Sequence, residues 1–164
     1  MQWNITHPMD ENDAAQIAQF QVDMAEESEG LTLDPAIVMR GVMMGMEDPN
    51  AKGRYYIART TEPVQVADNL TLPAGTIAAS LFVTREWSDW HAEWYWWIQS
   101  VYVRPLFRRQ GAFRAMHQTV VEQAKRANVH EVRLYVDQTN TRAQQTYQAQ
   151  GMHPSHYLLY EQEI

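Results

Sequence analysis

The stretch Val101-Tyr102-Val103-Arg104-Pro105-Leu106-Phe107-Arg108-Arg109-Gln110-Gly111-Ala112-Phe113-Arg114-Ala115-Met116 decides the fold. Val101 and Val103 alternate with Tyr102 at the period of a strand. Pro105 cannot donate to a sheet ladder, so the strand ends there. After Gly111 the apolar residues Ala112, Met116, Val120 and Ala124 recur at helical spacing. The unpaired amides of that helix start point into the loop, and the helix dipole adds partial positive charge. Arg108, Arg109 and Arg114 surround the same point, which makes it a ready seat for a phosphate group.

A second stretch answers the first. Asn140-Thr141-Arg142-Ala143-Gln144-Gln145-Thr146-Tyr147-Gln148-Ala149-Gln150-Gly151 begins with a good N-cap residue and ends with a C-terminal glycine. Ala143 and Tyr147 are spaced to share one helix face. Between the two stretches, Val132-Arg133-Leu134-Tyr135-Val136 alternates like another strand. Strand, helix, strand, helix in this order predicts two parallel strands joined by a right-handed crossover.

These residues carry a resemblance. Arg108-x-x-Gly111-x-Phe113 resembles the pyrophosphate loop of the GCN5-related N-acetyltransferase (GNAT) superfamily, with Phe113 where that family has Gly or Ala. Asn140-x-x-Ala143-x-x-x-Tyr147-x-x-x-Gly151 resembles its second cofactor motif. The likeness covers the second half of the chain directly and the first half through the order of elements. It implies an α/β fold with a mixed central sheet of roughly six to seven strands flanked by about four helices. The whole chain, 1–164, reads as one such domain.

The resemblance also implies a chemistry. The cofactor is acetyl-CoA, and the acetyl group passes directly to a primary amine of a small molecule or peptide. Backbone groups at Val101, Tyr102 and Val103 face the pantetheine arm. Arg108, Arg109, Gln110, Gly111, Ala112, Phe113 and Arg114 hold the diphosphate, where charge-assisted bonds are the strong ones. Asn140, Ala143 and Tyr147 complete the cofactor side, although capping alone accounts for Asn140. Tyr147 matches the family's general acid; a phenol can give a proton to a departing thiolate. Glu27, Glu29 and Leu31 match the acceptor-lining region between the first two helices. The central-strand glutamate that serves as base in part of the family falls here on Trp97, an acceptor-side residue that cannot act as one. The base is left open among Glu27, Glu29, Glu86, Glu93 and a water path.

Composition narrows the classes. With no cysteine there is no disulfide, thiolate metal site or cysteine nucleophile, and the scattered histidines show no metal-ligand spacing. No run of about 18 apolar residues is present to span a membrane, and the first residues lack the pattern of a secretory leader. A cytoplasmic protein is the default expectation. The net charge of −7 hides an asymmetry. Residues 1–50 hold ten acids against Arg40 alone, whereas residues 101–164 hold eight Arg or Lys against five acids. The basic half carries the phosphate loop; the acidic half suits a cationic amine, or is simply a solvated helix face. No basic patch dominates, which disfavours nucleic acid. The assembly state is open, with a homodimer among the options. Two other classes are weighed: a non-catalytic acyl-CoA-binding or sensory module, and a mononucleotide-binding domain. The latter lacks a Gly-x-x-x-x-Gly-Lys loop.

The rest of the chain reads in order. Trp3–Ile5 is a short strand. Asp10 caps a helix running to about Glu29 with Ala14, Ile17, Ala18, Gln21 and Ala25 on one stripe, and Gly30 ends it. Asp34-Pro35 opens a second helix bearing Met39, Met43, Met44 and Met46, which suits either an adaptable pocket wall or ordinary core. Arg54–Arg59 and Thr76–Thr84 are strands, with a polar connection at Thr61–Asn69 and a turn at Pro73–Gly75. Five of the six tryptophans lie between Trp87 and Trp97, around a predicted hairpin tip at Ser88-Asp89. Strict alternation puts Trp94, Trp96, Ile98, Ser100 and Tyr102 on one face and Tyr95, Trp97, Gln99, Val101 and Val103 on the other. Those aromatics suit an acceptor pocket or plain cross-strand packing. Met152–Glu161 is predicted as the last strand, with Pro154 near its start.

Overall fold

Strand β1 (Trp3–Thr6) pairs antiparallel with β2 (Arg54–Thr60), in the computed structural model that describes residues 1–164. Two helices intervene: α1 (Glu11–Glu29) and α2 (Pro35–Glu47). Each starts where a side chain satisfies an orphan amide. Asp10 accepts from the Asp13 amide at 2.9 Å and Asp34 from the Ala36 amide at 2.8 Å. Gly30 closes α1 in the left-handed conformation (φ 66°).

The central sheet continues through β5 (Ile77–Ser88) and β6 (Glu93–Val103) to β7 (Glu131–Leu134), in the order β1-β2-β5-β6-β7. All neighbours are antiparallel except β6 and β7, which are parallel and are joined through α3 (Ala112–Arg126). The last helix is α4 (Thr141–Gln148). One apolar cluster, including Ile17, Phe20, Val42, Tyr55, Ile57 and Tyr102, fills the α1–α2 face of the sheet. A second, including Tyr56, Leu81, Ile98, Met116 and Val120, fills the α3 face. Met39, Met43 and Met46 pack on the first cluster, while Met44 is exposed. Arg59 joins both Asp13 carboxylate oxygens through Nη2, at 2.7 and 2.6 Å, and so pins α1 to β2.

Four expectations change. The central sheet has five strands rather than six to seven; β3 (Val64–Ala67) and β4 (Leu70–Leu72) form a separate hairpin that starts inside the expected polar connection and runs past its end. The hairpin tip is wider than Ser88-Asp89, since Ser88 still pairs with Glu93 and the turn runs through Ala92 (φ 52°). The strand predicted over Met152–Glu161 is not formed. Pro154 removes one ladder donor, and the Tyr157 amide is taken by Ser155 Oγ at 3.1 Å. Finally, the register of β5 against β6 shifts between Phe82 and Val83, which leaves Gln99 as an unpaired bulge residue. The bulge reverses the alternation. Trp96 and Ile98 therefore share the α3 face with Val101 and Val103, while Tyr102 lies on the α1–α2 face.

Candidate active site

The parallel pairing of β6 with β7 runs only from Tyr95↔Glu131 to Ile98↔Leu134. Beyond Ile98, β6 continues to Val103 paired with β5 on one side and with no strand on the β7 side. The bulge at Gln99 lies just where the two strands part. The result is a gap between neighbouring strands, bordered by main-chain groups that have lost a ladder partner.

At the end of that gap the chain makes a short 3-10 turn (Pro105–Phe107) and enters the loop before α3. Arg109 (φ 63°) and Gly111 (φ 86°) both adopt the left-handed conformation, a geometry that turns successive amides toward one point. The amides of Arg109, Gln110, Gly111, Ala112, Phe113 and Arg114 have no backbone acceptor within the chain, and α3 has no side-chain cap. This is a cluster of donors at a helix N-terminus, suited to a diphosphate. Two anchors hold it. Trp3 Nε1 donates to the Gln110 carbonyl at 2.9 Å, and Gln110 Nε2 donates to the Leu106 carbonyl at 2.9 Å.

Tyr147 lies on α4, with its ring edge-to-face against Phe113 at 5.5 Å. The phenol is thereby brought beside the start of α3. Burial alone pushes its pKa up, so the hydroxyl keeps its proton through neutral pH. Phe113, where a smaller residue was expected, thus serves as a wall for Tyr147. Asn140 caps α4, accepting from the Ala143 amide at 3.0 Å.

On the other face, Glu27 sits near the end of α1. Its Oε2 accepts from Arg108 Nη2 at 2.5 Å and its Oε1 from the Tyr102 hydroxyl at 2.9 Å. Partial burial pushes the Glu27 carboxyl up, but the two hydrogen bonds and the Arg108 charge outweigh it and hold the pKa below the usual value. Burial, and then the bond to Glu27, push Tyr102 up to about 12. Glu29 and Leu31 flank the exit of α1 and are exposed. Trp97 stacks on Tyr135 at 4.6 Å and gives its indole N–H to Glu86. Arg133 covers Tyr95 at 3.5 Å.

The structure gathers the loop, Tyr147, Tyr102 and Glu27 at one end of the sheet. It does not bring Glu93 there. Glu93 opens β6, about 30 Å of strand from Val103, and pairs with His130 at 2.9 Å. Sequence reasoning missed the Trp3 anchor, the Tyr102–Glu27–Arg108 cluster and the Tyr135 stack. None has a local signal; each joins residues far apart in the chain. No helix is long and apolar enough to cross a membrane, and no group of three or more His, Asp or Glu side chains is placed to hold a metal ion.

A five-stranded sheet that opens between two parallel strands onto a donor-rich loop is the arrangement of an acetyltransferase fold. The comparisons with known proteins agree. The model of the acetyltransferase (GNAT) family matches residues 44–152, and the chain belongs to that family. It is similar to a crystal structure described as a possible acetyltransferase from Clostridium difficile 630. Identity is 30%, the TM-score is 0.82, and the match covers 100% of this chain and 99% of that one. Two more distant structures share the fold. One is a ribosomal-protein-alanine N-acetyltransferase from Brucella melitensis biovar Abortus 2308, at 12% identity and TM-score 0.70, covering 99% of this chain and 100% of that one. The other is an aminoglycoside N-acetyltransferase in complex with CoA, at 11% identity and TM-score 0.70, covering 99% and 97%. Comparison with curated protein sequences gives no match.

Proposed function

We propose that this protein is an acetyl-CoA-dependent N-acetyltransferase that passes the acetyl group directly to a primary amine of a small molecule or peptide. The observation that carries the proposal is the run of unpartnered amides from Arg109 to Arg114, closing the gap beside β6. Acetyl-CoA, when bound, supplies the thioester. The residues present fit it. The loop amides would hold the diphosphate, with Arg109 and Arg114 adding charge; the ion-paired arginines of the chain are Arg59, Arg108 and Arg133. The edge of Val101, Tyr102 and Val103 that β7 leaves uncovered would receive the pantetheine arm in place of a strand, with the Val103 carbonyl already accepting from Arg108 Nε.

Tyr147 Oη holds the proton given to the leaving sulfur. Its raised pKa keeps that proton available at neutral pH, and the Phe113 ring fixes its direction. Three of the four carboxylates considered for the base are engaged: Glu27 by Arg108, Glu86 by Trp97, Glu93 by His130; Glu29, at the exposed end of α1, is not. The amine proton leaves through water or to Glu29, and proximity supplies most of the rate. Glu29, Leu31 and Trp97 border the acceptor. A cytoplasmic location and a homodimer complete the proposal. The exposed run Tyr157-Leu158-Leu159-Tyr160 supports the homodimer as a surface that a second copy can cover.

A second reading, an acyl-CoA-binding module without turnover, draws on that same engagement of carboxylates. An assay of thiol release from acetyl-CoA over a panel of amines separates the two. The chain has no cysteine, so a thiol reagent has no protein background. Amine-dependent release supports the enzyme; binding with no release for any amine supports the module.

A further inference from the structure

Arg108 opens the phosphate loop, yet its side chain is turned away to other partners. Its Nε donates to the Val103 carbonyl at 2.9 Å and its Nη2 to Glu27 at 2.5 Å. Its guanidinium lies 5.6 Å from the centre of the Tyr102 ring. That ring in turn leans on Phe20 of α1 at 5.3 Å, while its hydroxyl reaches the second oxygen of Glu27. One carboxylate thus ties the end of α1 to both the last strand residues and the first loop residue. Three positions on, Gly30 turns the chain into the segment bearing Leu31, on the acceptor side.

We propose that Glu27 is a positioning residue: through Arg108 and Tyr102 it couples the cofactor loop to the α1–α2 wall of the acceptor site. Arg108 belongs to this clamp, and the side-chain charge for the diphosphate comes from Arg109 and Arg114. The inference rests on the acetyltransferase reading above and adds a residue role to it. Coupling of this kind is reciprocal, so loosening the clamp weakens both ligands. A proton acceptor behaves differently, because its removal leaves binding intact and lowers turnover.

The test uses the full chain and the variants E27Q, E27A and R108A, together with the E27A/R108A double variant. Coenzyme A affinity is measured by calorimetry, and kcat and KM for the amine are measured across pH. Each single variant is expected to weaken coenzyme A at least about fivefold and to raise the amine KM similarly. The double variant is expected to be no worse than either single one, the mark of a shared interaction. The pH profile of kcat stays in place. E27Q keeps the shape of the side chain and guards against loss of fold. An E27Q that loses about 100-fold in kcat with unchanged binding overturns the inference and makes Glu27 the base. Variants that match wild type in affinity and KM overturn it alone. Wild-type protein that binds no coenzyme A overturns the acetyltransferase reading and this inference with it.

Discussion

Trp3 in the first strand donates its indole N–H to the carbonyl of Gln110 in the phosphate loop, at 2.9 Å. The same ring meets Phe107 edge-to-face at 5.8 Å. The edge strand of the sheet therefore holds the loop from behind, leaving the loop amides free to face a ligand. Trp3→Phe removes the hydrogen bond and keeps much of the packing. A neutral bond of this kind contributes about 1 kcal/mol. We expect coenzyme A affinity to fall about fivefold by calorimetry, with turnover at saturation nearly unchanged.

Tyr147 is the one phenol at the cofactor end that burial shifts without a hydrogen-bonded partner. Tyr147→Phe keeps the ring against Phe113 and removes the proton. Turnover is expected to fall by about 10²–10⁴, with coenzyme A affinity unchanged within about twofold. In wild type the proton is present below the raised pKa and lost above it. The alkaline limb of kcat therefore lies above the range of an ordinary tyrosine, and Tyr147→Phe has no such limb.

Asp13 and Arg59 make the buried ion pair that joins α1 to β2, with side chains 8% and 17% exposed. Asp13→Ala strands the guanidinium and frees the Met9 amide, which Asp13 also accepts at 2.9 Å. Breaking one side of such a pair costs about 3 kcal/mol. Thermal unfolding is expected about 6–12 °C lower. An unchanged midpoint contradicts the role given to this pair.

Stability at high pH follows from Tyr55 and Tyr102. Burial raises Tyr55 to about 12, and burial with the Glu27 bond raises Tyr102 to about 12, both from the ordinary phenol value of 10.0. Between those values the unfolded chain has lost the protons while the folded chain keeps them. The contribution is thus complete below pH 10 and is lost as pH rises toward about 12. Urea midpoints should fall across that window, and Tyr102→Phe should flatten part of the fall.

What the sequence disclosed was local. Asp10, Asp34 and Asn140 announce their helices because capping acts over three residues, and Gly111 with its basic neighbours announces the loop. What it concealed was non-local or a matter of parity. Asp13 and Arg59 are 46 residues apart, and Glu27 and Arg108 are 81 apart, so neither pair leaves a pattern in either segment. Gln99 reads as an ordinary strand residue, yet by bulging it exchanges the faces of everything before it, which a period of two does not anticipate. The tail after Gly151 has the apolar character of a strand, but Ser155 and Pro154 divert its donors.

The most direct test is thermal unfolding of the full chain with and without acetyl-CoA. A ligand at about 100 times its Kd adds about 2.7 kcal/mol to the native state. For a chain of this size that is a rise of about 5–10 °C. If the amides from Arg109 to Arg114 grip the diphosphate, acetyl-CoA and coenzyme A give this rise, and a pantetheine lacking the diphosphate does not. No rise at millimolar acetyl-CoA, or an equal rise with the diphosphate removed, contradicts it.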